Sequence, residues 1–106
     1  MEIVKFTQKD LREFLSSLKL EKLTTDFIIK GVKYCIDKKI LHIDIVTTHI
    51  YNYLFDITGT EPKIVKRDIY KAVKGVTAED KIIKFGYEGN LTNRKLFIIL
   101  LERYGY

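Results

Sequence analysis

Residues 44–74 read DIVTTHIYNYLFDITGTEPKIVKRDIYKAVK, and this stretch decides the fold. Both halves have helical apolar spacing, and the run Ile57-Thr58-Gly59-Thr60 separates them. Asp44 is placed to cap a helix carrying Val46, His49, Ile50, Tyr53 and Leu54, because an aspartate oxygen can accept from the unpaired N–H groups of a first turn. Gly59 suits the left-handed conformation that ends a helix. Thr60 is then the expected cap of a second helix, with Glu61 and Pro62 in its first turn, where proline's missing N–H goes unnoticed. Val65, Ile69, Ala72 and Val73 form that helix's inward stripe. The stretch therefore specifies helix, short turn, helix, the second helix covering about 61–74.

The same periodicity extends in both directions. Leu11, Phe14, Leu15 and Leu18 recur at i, i+3, i+4 and i+7, the pattern of a one-sided helix, with Thr7 and Asp10 as its start signal. Thr24 and Thr25 are expected to open the next helix, with Asp26 in its first turn. Its buried face is Phe27, Ile28, Val32, Cys35, Ile36 and Ile40. Gly31 interrupts that face at a cost of about 1 kcal/mol relative to alanine, which marks either a close helix–helix approach or a tolerated glycine. Beyond Gly75, Thr77 starts a short helix containing Ile82 and Ile83. Thr92 caps the last one, whose apolar residues Leu96, Phe97, Ile99, Leu100, Leu101 and Tyr104 cover more than one face. So wide a stripe fits either a dimer interface or a centrally buried helix. The β-branched run from Ile40 to Val46 has strand propensity but nothing to pair with. The expectation is one all-α domain over 1–106, a bundle of about six helices.

A chain of 106 residues, 46% hydrophobic and 31% charged, can bury roughly two-thirds of its unfolded surface without metal or disulfide support. Its single cysteine, Cys35, excludes an internal disulfide and lies in an apolar run, where it reads as a small buried hydrophobe. No stretch reaches the ~18 apolar residues of a membrane span, and the amino terminus lacks a signal-peptide core. A cytoplasmic protein without membrane partners is expected. The formal net charge of +5 favours a polyanionic partner.

The distribution of that charge is more informative than its sum. Lys63, Lys66, Arg67, Tyr70 and Lys74 follow i, i+3, i+4, i+7 and i+11, so they share one face of the second helix, and Lys71 lies beside them. These residue types suit double-stranded DNA. Arginine can donate two hydrogen bonds to a guanine edge, lysines pair with phosphates, and a tyrosine packs on sugar or thymine methyl. A cationic face is also compatible with plain solvated surface, and Glu61 and Asp68 dilute its field.

Further motifs resemble a known family. Val65-Lys66-Arg67-Asp68-Ile69-Tyr70-Lys71-Ala72-Val73 is similar to the family pattern Val-Glu-Arg-Ala-Ile-Arg-His-Ala-Ile. Tyr51, Phe85-Gly86-Tyr87, and Thr92-Asn93 followed by Leu96-Phe97-Ile98 follow in matching order. Over residues 10–104 the chain resembles the carboxy-terminal DNA-binding domain of the sporulation response regulators. The resemblance implies six helices, a helix-turn-helix that enters the major groove, and paired domains on repeated sites in contact through the last helix. Three positions depart from the pattern: Lys66 stands for a glutamate, and Ile64 and Tyr70 stand for arginines. Arg67 keeps the family's residue type. The family's receiver domain is missing, so a free-standing regulator is expected.

Other chemistry finds little support in the residues. His42 and His49 have no thiol or carboxylate at metal-ligand spacing, and neither a phosphate-binding glycine loop nor a nucleophile elbow occurs. No enzyme activity, metal or cofactor is expected. The alternative to a DNA-binding transcriptional regulator is an interaction module that keeps the fold but binds a related regulator.

Overall fold

Leu11 and Leu15, one helical turn apart, carry no solvent exposure at all, and around such buried pairs the chain builds its core. The computed structural model describes residues 8–105, so the Thr7 cap expectation lies outside the described residues. Six helices follow in order: α1 (Gln8–Ser16), α2 (Lys22–Asp37), α3 (Thr47–Thr58), α4 (Pro62–Gly75), α5 (Ala78–Phe85) and α6 (Asn93–Tyr104). A single 3₁₀ turn, His42–Asp44, sits between α2 and α3, and no strand occurs among the described residues. The all-α expectation holds.

α6 is the centre of the bundle. All six residues from Leu96 to Leu101 are at most 9% exposed, and the helix packs on α2, α4 and the 3₁₀ turn. Its wide apolar stripe is therefore consumed by the chain's own core. Residues 96–101 keep no apolar face for a second copy, which removes the sequence argument for a homodimer through this helix. Gly31 belongs to the same packing. A Cβ there would lie 2.8 Å from the Phe97 ring and 2.9 Å from an Ile50 methyl, so the glycine lets α2 approach α3 and α6. Cys35 is buried as expected, and burial pushes its thiol up to about 11.

Three expected helix starts move. α2 begins at Lys22, with the Glu21 carbonyl accepting from Thr25 N–H at 2.9 Å. Thr24 and Thr25 lie on the inward face, 5% exposed each, and do not cap. Asp26 instead pairs with Arg12 at 2.9 Å and ties α2 to α1. Asp44 does not cap α3 either. Arg94 on α6 donates from Nε to the Ile45 carbonyl (3.0 Å) and from a terminal nitrogen to the Ile43 carbonyl (3.1 Å). His42 Nε2 lies 3.5 Å from Glu102. These contacts bind residues 42–45 to α6, and helical geometry resumes only at Thr47 behind an extended Val46. Val46 and His49, expected within that helix's pattern, are exposed, while Ile50, Tyr51 and Leu54 are buried.

At α4 the cap position is Glu61, one residue after Thr60, and no side chain caps it. The Glu61 carbonyl takes the N–H groups of Ile64 (2.9 Å) and Val65 (3.1 Å), with Pro62 in the first turn. α1 stops at Ser16 and α2 at Asp37, short of Leu18 and Ile40, whereas the stop of α3 and the starts of α5 and α6 agree with the sequence. Gly59 is left-handed at φ 76° and donates its N–H to Phe55. The hydroxyl oxygens of Thr77 and Thr92 accept from the N–H groups of Asp80 and Lys95, both at 3.1 Å. No helix among the described residues is long and apolar enough to cross a membrane.

Candidate nucleic-acid interface

α4 has the residue economy of a one-sided helix. Val65, Ile69 and Val73 are buried and Ala72 is half-buried, whereas Lys63, Lys66, Arg67, Tyr70, Lys71 and Lys74 are all exposed. Its fourteen residues hold five cations and one carboxylate, Asp68. At the rise of an α-helix the row from Lys63 to Lys74 extends about 17 Å.

The exposed row divides into a crest and two flanks. Lys66, Tyr70 and Lys74 wall a cleft of about 400 Å³ that is closed on its far side by Thr47 at the start of α3 and by Asn90 to Arg94 before and within α6. Lys71 and Asp68 line a second cleft, of about 290 Å³, against Lys19, Glu21 and Thr24. Lys63 and Arg67 border neither cleft and form the crest. The two clefts differ in charge: the first carries Lys66, Lys74 and Arg94 with no carboxylate, the second two lysines against Glu21 and Asp68.

Local contacts fix some of these groups and leave others available. Lys74 Nζ donates to Asn90 Oδ1 at 3.3 Å and lies 5.4 Å from the centre of the Tyr70 ring. Arg67 Nε stands 3.6 Å from the half-buried Asp68, a loose contact for an otherwise exposed guanidinium. Lys63 similarly stands 3.6 Å from Glu61. The Lys63–Glu61 pair is of the exposed kind that contributes little to stability.

The cleft's far wall escaped the reading of the sequence. Thr92-Asn93 was legible as a helix start, and its Asn93 side chain proves to be a brace. Asn93 Nδ2 donates to the Tyr51 hydroxyl at 3.0 Å and to the Lys66 carbonyl at 3.1 Å, joining α6 to α3 and α4. One signal was available in the residues. Arg94 and Lys95 stand in the first turn of α6, where the helix dipole disfavours positive charge.

The two histidines do not come together as a ligand pair, since His42 lies in the 3₁₀ turn and His49 on the exposed side of α3. Among the described residues no three His, Cys, Asp or Glu side chains are grouped to hold a metal ion. No family model, curated protein or solved structure matches the chain, so the interpretation of α4 rests on its own residues.

Proposed function

We propose that the chain is a DNA-binding transcriptional regulator in which α3, the turn at Gly59 and α4 act as a helix-turn-helix, with α4 in the major groove. The observation that carries the reading is the exposed row of five cations and Tyr70 along one helix whose opposite stripe is buried. The major groove is wide enough to admit such a helix, and its base edges present acceptors that an exposed arginine can engage twice. Arg67, on the crest, is the base-reading residue. Lys63 and Lys71 supply phosphate contacts, and in the likeness to sporulation response regulators Arg67 is the basic recognition position kept by residue type.

Titration of a labelled duplex at two salt concentrations tests it. If the four α4 lysines each neutralise one phosphate while Arg67 reads a base, the logarithmic salt slope is about −3.6, and affinity falls roughly 10²-fold between 50 and 200 mM salt. Affinity independent of salt, or no duplex binding at either concentration, contradicts the proposal.

A second reading has its own observation. Leu41, Ile43 and Val46 are 53%, 66% and 47% exposed around the 3₁₀ turn, and Ile82 and Ile83 are 52% and 68% exposed on α5. Such residues suit an interaction module docking on a related regulator. A stoichiometric protein complex unaffected by Arg67→Ala would favour it. Pairing of two copies, in either reading, uses a surface other than residues 96–101.

A further inference from the structure

We infer that the carboxylate-free cleft beside α4 seats a DNA backbone phosphate, which makes Lys66, Tyr70 and Lys74 positioning residues and leaves sequence selection to the crest. This inference rests on the DNA-binding reading and adds to it a site on the far wall, formed by Thr47, Asn93 and Arg94.

Charge is the first argument. Lys66, Lys74 and Arg94 face one space of about 400 Å³ with no carboxylate among its lining residues, whereas the cleft on the other flank of α4 has equal numbers of each sign. The helix alone does not produce that contrast, because α4 lines both clefts. The second argument is rigidity. Arg94 is held by two carbonyl acceptors, and Lys74 is held by Asn90, so these charges wait in place and little side-chain entropy is lost on binding. The third is polarity of the walls. α3 and α6 both begin at this cleft, with Thr47 and Asn93 as their first residues, and first-turn N–H groups have no partner within their own helix. No side chain caps α3. The start of α6 is capped by Thr92, so it is the uncapped start of α3 that adds its positive end to a space the three cations already make favourable for an anion.

The position of the cleft suits a backbone phosphate better than a base edge. It flanks α4, set off from the crest that carries Arg67, and a helix lying in a groove meets the phosphates along its sides. Arg94, at the unfavourable end of α6, then serves the cleft that it lines as well as holding the Ile43 and Ile45 carbonyls.

The test uses the full chain and two variants. Lys66→Gln removes one exposed charge. Thr47→Glu introduces a negative charge that suits the start of α3, so folding is retained while the cleft is spoiled; thermal melts confirm this for both. Binding to several unrelated duplexes is measured across salt, and the backbone amide signals of the wild-type chain are followed as inorganic phosphate is added. We expect Lys66→Gln to weaken every duplex by the same factor and to reduce the salt slope by about 1. Thr47→Glu should weaken binding further, and phosphate should shift the amides of Thr47, Asn93 and Arg94. If the wild-type chain binds duplexes but Lys66→Gln leaves the slope unchanged or alters sequence preference, the phosphate seat is overturned while DNA binding stands. If phosphate shifts those amides but no duplex binds, the cleft takes phosphate from another source, and both the DNA seat and the proposed function are overturned.

Discussion

α4 and α6 are helices of similar length in the same bundle, and they divide the molecule's work. α6 buries six consecutive residues and starts at a side-chain cap. α4 buries three, exposes five cations and an aromatic, and starts without one. Burial on all sides makes a helix a scaffold whose sequence is answerable to packing. A helix buried on one stripe leaves its other face answerable to something outside the chain. The comparison therefore locates the surface most free to acquire a function, and it predicts that substitutions in the two helices will separate stability from binding.

The largest expected effect lies in α6. Phe97 is fully buried, and Phe97→Ala should destabilise the chain by about 3–5 kcal/mol through lost burial and the cavity left behind. Chemical denaturation measures this directly. Arg67→Ala on the α4 crest should change stability by no more than about 0.5 kcal/mol, yet cost about 1–3 kcal/mol of discrimination at one base pair. Equal destabilisation by the two substitutions would break the comparison.

Smaller effects sharpen it. Gly31→Ala introduces a Cβ within 3 Å of both Phe97 and Ile50. Overpacking of that kind costs about 1–3 kcal/mol, against about 1 kcal/mol regained from helix propensity, so a net loss of about 1 kcal/mol is expected in the same denaturation assay. Thr92→Ala removes the cap of α6 and should cost about 1 kcal/mol. Thr60→Ala, beside the uncapped start of α4, should cost less than about half of that. A Thr60 effect as large as the Thr92 effect would show that α4 is capped in solution.

Much of the bundle was legible because its signals are local. Gly59, Thr77 and Thr92 mark boundaries through their own backbone or hydroxyl chemistry, and each stands where expected. The misplaced starts share a different cause. Asp44 had the chemistry of a cap, but Arg94 and Glu102, some fifty residues on, hold its neighbours against α6. Thr24 and Thr25 likewise yielded to a face that had to be buried. The turns after α1 and α2 gave no warning, because Lys19 and Lys39 take positive φ without a glycine to mark them.

The candidate interface was legible in half. Helical spacing alone placed all six α4 residues on the exposed side. The cleft's far wall comes from α3 and α6, which only the tertiary fold brings beside Lys66 and Lys74. Spacing along one helix carries no information about a neighbour thirty residues away.

The central claim, that α4 reads DNA sequence, is tested most directly by selection from a random duplex pool at about 150 mM salt, with wild-type protein and Arg67→Ala side by side. The account predicts a recovered motif that the variant loses or relaxes at one position, each lost base contact costing about 1–3 kcal/mol. Recovery of no motif, or of the same motif by both proteins, would contradict it.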